Sequence, residues 1–485
     1  MNGDVIRTCF NLGLALAICM ASDRALAEPS APEKSGPVGK AATLQQSPMP
    51  ATKSTAQQTV TSKIDPKGEA GNTAGNSTAP VTTPTSAPSQ VPLKPLSPPV
   101  TVTISQDPRP TFDQDTFINT MRAAGIYKRL AEEGGWPTLP AGTELKMGDK
   151  GVLVATLRQR LAREGDLPAD QVTGSTFDAE LVKAVKRFQT RHGLPETGAV
   201  RRKTLEALNV PALTRHRQLT ASTQRLMGSR FPFGERYVVV NIPSATVEAV
   251  ESGQVARRYV AVVGKPDRPS PMVETRVTAV NLNPTWTVPV SLIKKDIIPQ
   301  VRKDPDYLAK MKIRILDAKG QEVDPRTLDW TTNNAVNYTL RQDPWAMNSL
   351  GQIRIDMPNK DAVFMHDTPS KRLFAQDTRF FSSGCVRVAN VRDFVEWLLR
   401  GTAGPNGEWA QASIDAAIAT TARQDIRLGK PVPVAWVYLT GYAMPDGTVH
   451  FRDDIYGLDP AKIDPHPDGQ GVDVPATSSI MPRRL

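Results

Sequence analysis

The apolar period of the chain changes from helical to extended near residue 230, and this change limits the folds open to it. Before it, Val154, Leu157 and Leu161 form one helical stripe, and Leu181, Ala184, Val185 and Phe188 form a second that stops at Gly193. A short third helix starts over Thr204 to Leu208, and a polar helical connector runs from Leu213 to Ser229. From Tyr237 the spacing becomes two. Tyr237 to Asn241, Thr246 to Val250 and Val255 to Val263 read as strands, with Ser252-Gly253 as a hairpin turn. Further strand patterns occur at Arg276 to Leu282, Ala362 to Met365 and Val432 to Thr440. Ile293 to Ile313 is charged and helical in pattern, which suggests an insertion over the sheet. Val391, Phe394, Val395 and Leu398 mark an amphipathic helix with Asn390 as its cap. The fold class is therefore α+β: a mostly-β domain (236–440) with a helical insertion (about 290–350), preceded by a three-helix unit (141–212) and a connector (213–235).

The ends have a different composition. Residues 28–108 hold many of the 42 prolines among Ser, Thr, Ala and Gly, with few large apolar residues. Such a tract cannot bury enough surface to offset its ordering entropy, so disorder is expected, as tether or passive spacer. Residues 1–27 pair Arg7 with the apolar run Cys9 to Ala21 and an Ala25-Leu26-Ala27 cleavage pattern. The run is shorter than the ~20 residues a membrane helix needs, so a signal peptide and export to the periplasm are expected, with an uncleaved anchor as the competing reading. No second long apolar run follows, so no integral span remains after cleavage. Asp115 to Glu133 is helical in pattern, with Phe117, Met121, Ile126 and Leu130 on its apolar face, and Gly134-Gly135-Trp136-Pro137 stops it. That helix defines a scaffold over 109–140, and 441–485 is left as a C-terminal extension. The net charge of +10 does not indicate nucleic acid in an exported chain; an anionic surface or plain solvation accounts for it.

Export also changes the meaning of the three cysteines. Cys9 and Cys19 leave with the signal, so Cys385 stands alone and can form neither an internal disulfide nor a cysteine zinc cluster. It lies in Phe381-Ser382-Ser383-Gly384-Cys385-Val386-Arg387-Val388, nineteen positions after the histidine of His366-Asp367-Thr368-Pro369-Ser370-Lys371. A free cysteine has a pKa of about 8.5, so a nearby imidazole would hold it as an ion pair or take its proton, then protonate a leaving amine. His366 ends a strand-like run, and Gly384 allows the amides of Gly384 and Cys385 to face an oxyanion. Arg387 suits a substrate carboxylate or a brace within the loop. Singly these residues fit a buried thiol and a satisfied histidine. Together with export they point to nucleophilic catalysis. His192 is expected at the surface or as a cap, and nothing calls for a metal or an organic cofactor.

Two resemblances sharpen this reading. The frame Gly148-x-x-Gly151-x-x-Val154-x-x-Leu157, followed by Ala184-Val185-x-x-Phe188-Gln189-x-x-x-Gly193-Leu194, resembles the type 1 peptidoglycan-binding domain. The later half resembles an L,D-transpeptidase with a YkuD-type catalytic domain, of the long YcbB-like branch. Four passages carry this: Val240-Asn241-Ile242-Pro243, Val263-Gly264-Lys265-Pro266, Asn283-Pro284-x-Trp286-x-Val288-Pro289, and the His366 and Cys385 blocks.

The resemblance implies that Cys385 attacks the carbonyl of the L-centre at the third position of a tetrapeptide stem, releasing D-alanine. A diaminopimelate amine on a neighbouring stem then resolves the thioester as a 3→3 cross-link. It implies His366 as proton donor and acceptor, oriented by the backbone carbonyl of Asp367, with Gly384 at the oxyanion and Arg387, Ser383 and Trp286 at the substrate. Many relatives have His-Gly-Cys; here Ser383 stands at that histidine, which removes any oxyanion role for it. The insertion would cap the cleft. The implied partners are stem peptides and the sacculus. Water as acceptor would give an L,D-carboxypeptidase, and an envelope protein's lysine an anchoring enzyme. A non-catalytic wall-binding protein is the reading of another class. Ser291-Leu292-Ile293-Lys294 matches the S-x-x-K of serine enzymes, but the only Lys-Ser-Gly, at Lys34, precedes it and reverses the expected order.

Overall fold

The computed structural model describes residues 102 and 104–460. The signal segment, nearly all of the 28–108 tract and the end of the C-terminal extension lie outside these residues. Described order begins before residue 109: the carbonyls of Ser105 and Asp107 accept from the Arg258 guanidinium at 2.6 and 2.9 Å. These bonds tie down the tail of a segment that its composition assigns to the linker.

Helix α1 (Thr116–Glu132) forms, but on a different face from the one its large apolar residues suggest. Thr116, Thr120, Ala123, Ala124 and Tyr127 are buried, while Met121 and Ile126 are 45% and 48% exposed. Small side chains let α1 lie close against the connector helix α5 and the C-terminal hairpin, and this close approach outweighs the larger residues opposite. The three-helix unit follows as expected: α2 (Val152–Arg163), α3 (Ala179–Arg191, capped by Asp178 through the Leu181 amide at 2.9 Å) and α4 (Arg202–Leu208). Leu157, Leu161, Leu181 and Phe188 fill its core. The connector is α5 (Ala212–Leu226), whose Leu219 packs with Ala124, Tyr127 and Phe451.

Strands β1 (Arg236–Asn241), β2 (Thr246–Glu251), β3 (Gln254–Gly264) and β4 (Val273–Leu282) open the main sheet. Ser252 and Gly253 both have positive φ, at 50° and 76°, as the tight turn between β2 and β3 requires. The insertion is more than helical. It contains β5 (Trp286–Thr287), α6 (Val290–Leu292), a π-turn over Ile293–Ile297, α7 (Ile298–Lys303), α8 (Tyr307–Lys310), β6 (Ile313–Leu316), β7 (Glu322–Val323) and β8 (Thr339–Gln342). Its strands make a separate sheet in the order β5-β8-β6-β7 over a core of its own. Short strands among charged residues carry too little alternation to register as β in the sequence.

The chain then returns through β9 (Ile353–Asp356), β10 (Met365–His366), β11 (Phe380–Ser382) and β12 (Val386–Val388). Next come α9 (Val391–Leu399), the small pair β13 (Ala403–Gly404) and β14 (Gly407–Glu408), and α10 (Gln411–Ala419). The long β15 (Gln424–Val437) and the hairpin of β16 (Gly441–Ala443) and β17 (Val449–Phe451) end the described chain. Asn390 precedes α9 in the left-handed region (φ 48°) and makes no side-chain capping bond, so its conformation, not its amide, starts the helix.

The nine-stranded sheet runs β11-β3-β12-β10-β9-β4-β15-β1-β2, and β2 also pairs with β3, so the sheet curls back onto itself. Its inner face and helices α9 and α10 share one core, which includes Val238, Val263, Ile355, Met365, Val386 and Phe394. The C-terminal hairpin is no appendage. Phe451 stacks on His192, the C-cap of α3, and the Arg452 guanidinium donates to the Arg191 carbonyl at 2.8 Å. His192 is thus a cap, as expected, but a buried one, held against Phe188 at 3.8 Å.

Candidate active site

Alternation along the strands decides which side chains meet. Met365, Val386 and Val388 point into the core, so His366 and Arg387 emerge on the opposite face, while Phe364 and Cys385 are partly buried against the core's edge. β10 and β12 are parallel neighbours with Met365 beside Val386 and His366 beside Arg387. Cys385, nineteen positions after His366 in sequence, is the last loop residue before β12, two positions ahead of the residue in register with His366. On the other side of β10, antiparallel β9 puts Arg354 beside His366.

The loop before Cys385 has its own logic. β11 and β12 flank β3 on opposite sides, so Ser383, Gly384 and Cys385 must cross the end of β3 at Gly264. A Cβ on Gly264 would overlap the backbone of Arg268 and Ser270. Ser270 locks the crossing: its hydroxyl accepts from the Gly264 amide at 2.9 Å and donates to the Gly384 carbonyl at 2.7 Å. Gly384 has φ +113°, a conformation side chains rarely adopt. The Tyr456 hydroxyl supports the same crossing, donating to the Gly264 carbonyl at 2.6 Å and accepting from the Ser270 amide at 3.2 Å.

His366 is buried, and its Nδ1 lies 2.5 Å from the Asp367 carbonyl, the orienting contact the sequence suggested. The Asp367 carboxylate does not touch the ring; it accepts from the Gln352 amide at 3.0 Å and pairs with Lys371. Burial, and then the Arg387 charge, push the His366 pKa down to about 3. Burial likewise pushes the Cys385 thiol up, against a backbone hydrogen bond at Phe364 and the charges of Arg354 and Arg387. Both shifts favour the uncharged forms, a neutral imidazole and a thiol, over a standing ion pair. Burial also lowers Arg387, whose Nε has no partner and which has no carboxylate beside it among the described residues. Ser383 is exposed, and its hydroxyl accepts at 3.1 Å from Arg268, which is itself paired with Asp296 of the insertion at 2.6 Å. Trp286 on β5 packs on the insertion core and lines a cleft beside the site. Ser291 and Lys294 are exposed on the insertion.

Sequence reasoning missed Arg354, Ser270, Gly351 and Tyr456. The alternation Ile353-Arg354-Ile355-Asp356 is a strand signal that would have placed Arg354 on the face of the histidine. Nothing local marks the other three, since each acts on a segment distant in sequence.

Fold and site together define a curled mixed sheet in which a histidine ends one strand and a cysteine sits in the loop entering the parallel neighbour, next to an inserted subdomain. Residues 235–412 match the family model of the L,D-transpeptidase catalytic domain, YkuD, and residues 150–208 match a domain described as "Putative peptidoglycan binding domain". The chain thus carries an L,D-transpeptidase catalytic domain of the YkuD type together with a peptidoglycan-binding domain.

A Haemophilus influenzae protein described as "Putative L,D-transpeptidase" is 31% identical over 223 residues, which is 46% of this chain and 44% of that protein. This chain therefore spans less than half the length of that curated relative. Among solved structures, an L,D-transpeptidase from Mycobacterium smegmatis is 16% identical, with a TM-score of 0.21 over 41% of this chain and 58% of that one. One from Stackebrandtia nassauensis is 13% identical, with a TM-score of 0.23 over 54% and 91%.

Proposed function

We propose that the protein is a peptidoglycan L,D-transpeptidase that forms 3→3 cross-links through a thioester on Cys385. The observation that carries this reading is the parallel pairing of β10 with β12, which brings His366 close to Cys385 in the loop that leads into β12. His366 removes the thiol proton as sulfur attacks the carbonyl at the L-centre, then gives it to the departing D-alanine amine. The acceptor amine next attacks the thioester and returns Cys385 to the thiol. The Asp367 carbonyl keeps the imidazole in one orientation throughout.

The Cys385 amide has no acceptor among the described residues, and the Gly384 amide is held only by Ser382 Oγ at 3.3 Å, so both suit an oxyanion. Arg387, cationic and without a counter-ion, suits a stem carboxylate. Ser383 and Trp286 flank the substrate path from the loop and the insertion. The insertion and the wall-binding module favour the long YcbB-like branch. Cleavage of residues 1–27, with residence in the periplasm at the cell wall, belongs to the same reading. No helix among the described residues is long and apolar enough to cross a membrane.

The deciding experiment incubates the purified protein with tetrapeptide muropeptides and resolves the products by mass spectrometry. Cross-linked dimers bearing 3→3 bonds are expected, and Cys385→Ala should form none. Trimmed tripeptides alone would make it an L,D-carboxypeptidase. Products identical for both proteins would leave a wall-binding role only.

A further inference from the structure

In register, Arg387 of β12, His366 of β10, Arg354 of β9, Asn281 of β4 and Asp425 of β15 form one cross-strand row. At about 4.8 Å per strand the row runs roughly 19 Å, with His366 near one end. The part beyond His366 lies along a cleft of about 530 Å³, to which Trp286, Thr287 and Pro289 bring the edge of the insertion.

Two groups in that cleft are poised for a ligand. The Arg354 guanidinium stacks 4.5 Å over the Phe364 ring and is tethered to Asp356 at 2.6 Å, so its orientation is fixed, yet its buried Nε has no partner. Asn281 is only 8% exposed; its Nδ2 donates to Asp425 at 2.8 Å, which fixes the amide, and its Oδ1 has no partner. A held cation and a lone carbonyl acceptor in one cleft suit a ligand that carries both a carboxylate and N–H groups. The cleft also lies on the Arg354 side of His366, away from the strand that follows Cys385. Phe364, whose ring lies 5.7 Å from that of His366, and Arg354 line the cleft, so it opens beside the imidazole.

We propose that this cleft receives the acyl acceptor and that Arg354 selects amines bearing a carboxylate on the same carbon, as a free α-amino-acid head does. The inference rests on the transpeptidase reading and names the specificity determinant of its second step. Arg354 holds the carboxylate and leaves the neighbouring amine facing the thioester. The amine nitrogen bonds to the acyl carbon as the carbon–sulfur bond breaks. Its proton passes through His366 to the departing Cys385 sulfur, so no other reactant is consumed.

The test gives the full protein a tetrapeptide donor together with deuterated D-alanine or deuterated D-alaninamide, at matched concentrations of free amine, so that each transfer product differs in mass from the donor. Transfer products are quantified by mass spectrometry. The wild type should favour the amino acid at least tenfold. Arg354→Gln should bring the ratio close to one, and Arg354→Lys should fall between. Because each ratio compares two acceptors in one protein, a general loss of folding or rate cancels. If Arg354→Gln is inactive with both amines, Arg354→Lys carries the comparison, and an unchanged ratio there overturns the proposal. Equal use of both acceptors by the wild type, or a retained tenfold preference in Arg354→Gln, overturns it as well. Absence of any acyl-enzyme in the wild type would instead remove the transpeptidase reading, and this inference with it.

Discussion

At the scale of single residues, the protonation states of two groups set the proposed chemistry. His366 has its pKa pushed down to about 3 and Cys385 has its pKa raised, both chiefly by burial. A histidine shifted this way stays neutral as pH falls through its ordinary value of about 6.5 and gains its proton only near 3. The rate of acylation by a carbapenem should therefore be flat from about pH 5 to 8, without a histidine-type inflection near 6.5, and rise above that range as thiolate forms. Timed intact-mass measurement of the adduct checks this. A clear inflection near 6.5 would mean that the imidazole titrates in the free enzyme and that a standing ion pair does the work. His366→Ala should form no adduct at neutral pH.

At the scale of elements, the site depends on how β9 is fastened to the loop after β10. The Asp367 amide donates to the Ile353 carbonyl at 2.9 Å, and the Asp367 carboxylate takes the Gln352 amide. Gly351 lies under that carboxylate with φ +62°, and a Cβ there would overlap it. Gly351→Ala should displace Asp367, and with it the carbonyl that orients His366. Acylation should slow at least tenfold in Gly351→Ala. Gly320→Ala has the same class of φ, at +79°, but meets nothing within 4 Å, and so serves as the control for backbone strain alone. Equal acylation rates in the two variants would show that the Gly351 contact does not position the base. The chain could announce His366 by its place at a strand end, but not Gly351, whose constraint comes from a side chain sixteen residues away in sequence.

At the scale of the whole molecule, a buried charge cluster in the three-helix unit is tied to helix α1 and to the C-terminal hairpin. Glu164 bonds Arg160 at 2.5 Å and Arg191 at 2.9 Å, and it accepts from Tyr127 at 2.7 Å. Burial opposes its charge, but Arg191 and Arg160 hold its carboxyl well below the usual range. Arg191 also reaches Asp166 at 2.5 Å and the Val449 carbonyl of the C-terminal hairpin at 3.3 Å. Glu164→Ala leaves the buried Arg160 without its carboxylate, while Arg191 keeps Asp166, and should cost about 3–5 kcal/mol. Calorimetry should show one unfolding transition moved to lower temperature. Two transitions, of which only one moves, would show that the module unfolds independently. For the same reason, deleting residues 141–212 to test wall binding would remove His192 and uncover Phe451, so substitutions on the module's exposed surface give the cleaner experiment.

The sequence by itself determined the domain order, the three helices of the wall-binding unit, the first strands of the sheet and the pair Cys385 and His366. Each of these is written in local period or in a compact motif, and the solvent-averaged environment of a helix or strand is enough to read it. Only the tertiary structure decided the buried face of α1, the small sheet within the insertion, and the role of the C-terminal hairpin as the joint between module and sheet. It alone brought Arg354, Gly351, Ser270 and Tyr456 to the site. These depend on contacts between segments far apart in the chain, where close packing and shared burial outweigh the preference of any one stretch.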